Sequence, residues 1–412
     1  NQKDKNLLIQ PYLNQYNINE INLSSKNSFS FELDKKLKFN KLKVKTLLYI
    51  KEVSLLNKFN LKNIFKEIKK EINLTDHKIK IDYEKQNFSL EGEGDILSQR
   101  NKDKIKYLLN KKNNLFSFET SIKENENPII LKILNFKNNI EKETKIKFSG
   151  LFKTGKDILI KEFFLEQEKN EIKIKDLKFN RKFQIVDLNE ITLNYIDLNR
   201  ENNNLKLKKE SKNFILTGSF FNAENLIDSL INDEDKSEKK WIEKRFNLLI
   251  DVNRLKLDDK FYLKNFNGSL LIEDFGLKNV NLIGNFSNNK QLKFTINNEA
   301  NKKVTTLFVD EAETIVKRYK FIKGFEGGSL DLYSIKNGDI SDTTIKIYEF
   351  KLKELPLLTK ILTLASLQGI ADILSGEGIS FDEFEMNFKN QKKLMTINEI
   401  YAIGPAISIL ME

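Results

Sequence analysis

The residues able to carry covalent or acid–base chemistry in this 412-residue chain are few. There is no cysteine, so no thiolate nucleophile, thiolate metal ligand or disulfide framework is available. The single histidine, His77, removes multi-His metal sites and leaves one partner for any Ser-His dyad. It stands in TDHKIKIDY at the start of an alternating run, which predicts a surface residue at a strand edge rather than a general base. Three glycine-rich stretches, EGEGD (91–95), GFEGG (324–328) and SGEGIS (375–380), are the candidates for phosphate binding. None has the Lys-Ser/Thr of a P-loop or a GxGxxG opening a helix, and no GxSxG elbow occurs. The carboxylate pairs Asp258-Asp259 and Asp382-Glu383 sit in charged turns where solvation accounts for them. The chain is therefore expected to have no catalytic residues, no metal site and no cofactor.

The charge balance points elsewhere. The formal net charge is +11, and nearly all of it is lysine. Arginine occurs only at Arg100, Arg181, Arg200, Arg245, Arg254 and Arg318, whereas base readout and bidentate phosphate contacts favour clustered Arg, so no nucleic-acid partner is expected. Lysines alternate with apolar residues, as in KLKFNKLKVK (36–45) and EIKIKDLKF (171–179). On a strand that spacing sends Lys to one face and Leu, Ile, Phe or Val to the other. The lysine face is either simply solvated or weakly attracted to anionic lipid head groups.

Such residues need strands to position them, and period-2 alternation dominates the chain in roughly twenty runs. FSFEL aligns Phe29, Phe31 and Leu33; the next run carries Leu37 and Phe39; KIKIDY aligns Ile79 and Ile81. Further runs align Ile172 with Ile174, Phe214 with Leu216, Leu330 with Leu332, and Ile345 with Ile347. Turns are built from Asn, Asp, Lys and Gly, and glycines recur inside apolar runs where a sheet can bend. The expected fold is mainly β: an elongated, curled antiparallel sheet, open as a groove, with a few short helices. Roughly twenty strands about 4.8 Å apart would extend on the order of 100 Å, more than a compact core needs. An apolar face must be hidden by closure, by a second sheet or by a ligand. Acyl chains would require a lining without convergent polar groups, and the fifteen aligned residues named above satisfy this; packing in a closed core is the alternative.

Helical periodicity interrupts the strands in a few places. FNLKNIFKEIKKEI (59–72) places Leu61, Ile64, Phe65, Ile68 and Ile72 on one stripe, predicting a helix across the sheet. AENLIDSLI (223–231) and DEAETIVKRY (310–319) start with the capping-type residues Asn222, just before the first, and Asp310, and predict short helices. NDEDKSEKKW (232–241) predicts a charged loop, anchored by Trp241. The stretch LPLLTKILTLASLQGIADILSGEGISFDEF (355–384) fails as a membrane span because of Lys360, Gln368, Asp372, Gly369 and Pro356. It predicts two short helices and a glycine-assisted return to strand at Phe381.

That stretch, extended through EMNF and followed by YAIGPAISI (401–409), closely resembles the C-terminal region of AsmA-like proteins, in particular the YhdP type of Gram-negative bacteria. Pro356, Gly369, Gly376, Gly378, Phe381, Gly404 and Pro405 carry the resemblance, with VDEAETIVKRYKFIKGFEGGSLDLY (309–333) and TGSFFNAENLIDSL (217–230) upstream. It extends from about residue 205 to the end, so 205–412 is taken as the AsmA-like region and 1–204 as a β-rich groove segment. The resemblance implies a periplasmic segment of an inner-membrane-anchored protein related to repeating-β-groove lipid-transfer bridges. It implies phospholipid acyl chains as cargo, inner- and outer-membrane surfaces as partners, and a role in outer-membrane integrity. The first residue is Asn rather than Met, so the chain is expected to be a fragment whose anchor lies elsewhere. The competing expectation is an envelope scaffold or assembly factor that binds protein partners.

Overall fold

The structure is a computed structural model that describes residues 18–36, 39–57, 64–65, 67–85, 87–124, 126–181, 183–232, 245–273, 276–287, 290–299, 302–318, 324–353, 378–392 and 394–411. These residues form twenty-five strands and two short α-helices, so the protein is mainly β. The chain divides into two compact units, Asn1–Asn204 and Leu205–Glu412.

In the first unit β1 (Ile18–Leu33), β2 (Phe39–Leu56), β3 (Glu71–Glu84), β4 (Asn87–Leu97), β5 (Asp103–Lys112) and β6 (Leu115–Glu124) are each antiparallel to the next. An insertion then carries the short pair β7 (Ile130–Leu131) and β8 (Phe136–Lys137). The sheet resumes with β9 (Thr144–Lys153) beside β6, then β10 (Ile158–Gln167) and β11 (Asn170–Phe179). Both β12 (Ile185–Asp187) and β13 (Glu190–Ile196) pair with β11. Tight turns connect these strands because Lys85, Asn113 and Glu168 adopt left-handed φ of 48°, 53° and 53°, matching the twist of two-residue hairpins.

In the second unit, β14 (Asn202–Glu210) and β15 (Asn213–Asn222) precede helix α1 (Glu224–Asn232) and β16 (Phe246–Lys256). β16 runs parallel to β15, the one departure from antiparallel order among the described pairs, and a crossover containing α1 joins them. Asn222 caps that helix, its Oδ1 accepting from the Glu224 N–H at 3.2 Å. The rest is antiparallel: β17 (Tyr262–Glu273), β18 (Gly276–Asn285), β19 (Gln291–Glu299), β20 (Lys302–Val309), β21 (Phe325–Asn337), β22 (Ile340–Leu352), β23 (Ile379–Gln391), β24 (Leu394–Ile403) and β25 (Ser408–Met411). Helix α2 (Glu313–Val316) lies between β20 and β21. Asp310 does not cap it; its carboxylate accepts from the Gln291 N–H at 2.7 Å and ties β19 to the chain entering α2. Neither unit closes into a barrel among the described residues, since no pairing joins β1 to β13, or β14 or β15 to β25.

Two local expectations change. The helix expected over 59–72 is replaced, where described, by turns and then strand: Glu71 and Ile72 already pair with Leu56 and Leu55. Lys69 N–H donates to the Ser98 carbonyl and Asn57 N–H to the Lys70 carbonyl, so cross-strand bonds take groups a helix would use internally. His77 is not a surface residue but 1% exposed. The helix pair expected at 355–374, the residues Leu37, Pro356, Gly369 and Gly376, and the loop with Trp241 lie outside the described residues.

Candidate functional site

Strand register sorts the apolar residues of each unit onto one face. In the first unit Ile81, Leu90, Leu109 and Phe118 are direct neighbours across β3 to β6. The adjacent row runs Leu48, Ile79, Gly92, Tyr107, Thr120, Phe148, Phe163 and Ile174 from β2 to β11. A third runs Ile105, Ile122, Ile146, Leu165, Ile172 and Leu193. In the second unit the row Leu216, Ile250, Gly268, Leu282, Phe294, Leu307, Leu332, Ile345, Met386 and Ile400 crosses ten strands. Phe214 opens a parallel row beside Leu248, its ring 5.3 Å from Phe246. Ten strands at about 4.8 Å carry such a row over roughly 45 Å.

Part of each face is sealed. In the first unit the insertion between β6 and β9 sets Ile129 and Phe136, 1% and 0% exposed, on Ile146, Leu165, Ile172 and Tyr195. In the second, Ala312 and Val316 of the α2 region pack with Leu330, Ile347, Phe350 and Phe381. Stacked rings of Phe325, Phe350 and Phe381, 5.1 and 5.2 Å apart, complete that core. The guanidinium of Arg318 fastens the cover, bonding Asp228 of α1 and the Leu257 carbonyl, while Lys260 holds Glu313 at 2.9 Å.

The expected groove residues therefore separate. Ile172, Leu330 and Ile347 are 4–6% exposed and belong to sealed core rather than open lining, because the insertion and α2 cover them. Ile79, at 7%, packs with Ile50 and Val53. Ile81, Ile174, Phe214 and Leu216 stay half-buried outside the two covers, and Leu332 and Ile345 are half-buried at the margin of the core under α2. Phe29, Phe31 and Leu33 lie on edge strand β1 at 69%, 40% and 50% exposure, with the first two rings stacked; Phe39 pairs with Leu33. Of the resemblance residues, Gly378 adopts φ +85°, and a Cβ there would meet the Leu352 carbonyl oxygen at 2.6 Å. Gly404 and Pro405 turn β24 into β25, and Gly404 N–H donates to the Ile407 carbonyl.

The EGEGD stretch serves packing rather than phosphate. A Cβ on Gly92 would stand 2.4 Å from the Tyr107 ring, and one on Gly94 would stand 2.3 Å from His77. The two glycines thus seat two rings flat on β4. His77 Nδ1 lies 3.0 Å from the Tyr107 hydroxyl and Nε2 3.0 Å from the Asp95 carbonyl, and burial pushes the Tyr107 phenol up to about 12. The residues omitted from the sequence-based set, Leu90, Leu109, Phe118, Phe148, Phe294 and Leu307, carry the same period-2 signal in FSLEG, KYLLN, LFSFE, KFSG, LKFT and TTLFV.

The opposite face of the first unit holds a cleft of about 1070 Å³. Its walls alternate in charge: Lys78, Lys80, Lys106, Lys147 and Lys173 against Glu91, Glu93, Glu119 and Glu162. Lys106–Glu93 at 2.8 Å and Lys173–Glu162 at 3.0 Å pair across strands. Leu47, Leu108 and Phe164 stand between these charges, so the cleft offers apolar as well as polar contacts. Among the described residues no helix is long and apolar enough to cross a membrane, and no cluster of His, Asp and Glu is placed to hold a metal.

The insertion is latched by a buried polar cluster. Glu124 accepts from Asn127 N–H at 2.5 Å and Asn138 Nδ2 at 2.8 Å, and Asn127 Nδ2 also donates to Asp103 at 3.0 Å. Gln167 holds the far end through the Asn139 and Lys142 carbonyls. Burial, reinforced by the Asp103 charge, raises Glu124 from 4.5 to about 7. A carboxyl whose folded value lies above its unfolded one stabilises fully below the unfolded value, and that contribution is lost as pH rises through about 7. Hydrogen exchange across 126–143 is expected to accelerate between pH 6 and pH 8 relative to the rest of the first unit, and Glu124→Gln is expected to flatten the difference. An unchanged profile would assign no role to this proton.

The chain matches no protein-family model, no curated protein and no solved structure.

Proposed function

We propose that the protein is an AsmA/YhdP-like, periplasmic segment that shields phospholipid acyl chains on its apolar sheet face during movement between inner and outer membranes. The observation that carries this reading is the continuity of half-buried apolar rows, such as Leu216 to Ile400, of which Leu307, Leu332 and Ile345 flank the core under α2 while the row continues beyond it on both sides. Each methylene taken from water contributes about 0.8 kcal/mol, so an acyl chain laid along such a row has a large driving force. The fold supports this reading by leaving the face open at the sides, and no catalytic group is needed. Tethering by an anchor outside these residues and a contribution to outer-membrane integrity belong to the same proposal through the resemblance.

A scaffold for envelope protein partners is the second reading, favoured by the charged cleft, whose Lys and Glu rows offer paired contacts to a polar peptide. Photo-crosslinking separates the two. A photoreactive residue at Phe118, on the apolar face, is expected to capture phospholipid in cells, and one at Glu119, on the opposite face, is not. Capture of protein at both positions and of lipid at neither would replace the lipid reading with the scaffold.

A further inference from the structure

We propose that one end of the first unit, where five hairpin turns gather, is a docking edge for an anionic phospholipid bilayer. Residues 1–204 contain 40 Lys and Arg against 29 Asp and Glu, whereas residues 205–412 contain 30 of each, so the whole excess of +11 belongs to the first unit. Antiparallel pairing sends alternate turns to opposite ends of the strands. The β1–β2, β3–β4, β5–β6 and β9–β10 turns and the segment after β11 share one end.

At that end Lys41, Lys43 and Lys178 are neutralised by Glu32, Glu84 and Asp157. Lys35, Lys36, Lys85, Lys112, Lys153 and Lys156 are exposed and have no ion-pair partner among the described residues. Arg181 adds a seventh such charge. The other end is closer to balance: Arg100 pairs with Glu67, Lys123 with Glu143 and Lys142 with Glu168, and the exposed Lys69, Lys70, Lys137 and Lys169 share it with Glu71, Glu126 and Glu141. Successive turns at the basic end are about 10 Å apart, two strand spacings, so five of them span roughly 40 Å. That separation is close to the Debye length of about 8–10 Å, and their potentials overlap.

Phospholipid head groups fit this arrangement because lysine acts on phosphate as a point charge and needs no shaped pocket. A second feature coincides with the edge. Phe88, Phe116 and Phe152 form the last aromatic row of the apolar face behind these turns, with ring centroids 6.0 and 4.7 Å apart. Half-buried aromatic rings behind a basic rim match the depth order of a membrane interface. The inference shares the lipid chemistry of the proposed function but does not require the apolar face to carry cargo.

The test is flotation of the full chain with phosphatidylcholine vesicles, with and without phosphatidylglycerol. Reversing Lys35, Lys85, Lys112 and Lys156 to Glu is expected to lower partitioning onto the anionic vesicles at least about tenfold, with an unchanged urea midpoint. Reversing Lys69, Lys70, Lys137 and Lys169, at the other end, is expected to lower it far less. Equal losses from both sets, no loss from the first, or equal binding of the wild type to uncharged vesicles would overturn the inference. Lipid capture at Phe118 is read separately, so failure of the edge and failure of the cargo reading are distinguishable.

Discussion

Ile347→Asp is expected to unfold the second unit, whereas Ile345→Asp, two residues away on the same strand and face, is expected to leave it folded and strip it of lipid. Ile347 is 6% exposed under the α2 cover and neighbours Leu330 and Phe384 across the strands. A carboxylate there loses the apolar contact and has no cation to pair with in that cluster, at a cost of about 4 kcal/mol or more. Ile345 lies one row further along, half-buried between Leu332 and Met386 at the margin of that core, where the cost falls to about 1–2 kcal/mol. Urea unfolding together with lipid content per chain reads both effects. Equal destabilisation by the two substitutions would mean that the whole face is sealed core.

The second large effect is steric. Gly94→Val is expected to destabilise the first unit by about 3 kcal/mol or more, because the first added carbon meets the His77 ring at 2.3 Å and that ring is fixed at both nitrogens. Combining it with His77→Ala should recover a substantial part of the loss, since truncation vacates the space Val needs. The four urea midpoints of the mutant cycle measure this coupling. Strict additivity of the two losses would show that backbone strain, and not the ring, sets the requirement for glycine.

Alternation in short segments made the β class and the shared faces readable before any coordinates. Ile79 with Ile81 and Ile345 with Ile347 needed only a period of two, because successive side chains on a strand must point to opposite sides. What covers each face was not readable. Ile129 and Phe136 sit in an aperiodic insertion, and their burial depends on Glu124, Asn127 and Asn138 meeting across 14 residues of sequence. The same limit applies to His77, whose alternating neighbours suggest an edge; only pairing with β4 brings the small residues that admit its ring. The helical stripe at 59–72 failed because apolar spacing at Ile64, Phe65 and Ile68 also serves a turn packed on the sheet, where Phe65 joins the core. The parallel pairing of β15 with β16 is a tertiary choice with no local signature.

The central claim, that the apolar face holds acyl chains, is tested most directly by native mass spectrometry of the chain purified without detergent from a Gram-negative envelope. Phospholipid retained by the wild-type chain and lost from Ile345→Asp, with the unfolding midpoint lowered only by the small cost given above and the chain still folded, is the predicted result. A wild-type chain free of phospholipid, or one whose lipid content is indifferent to Ile345→Asp, would contradict it.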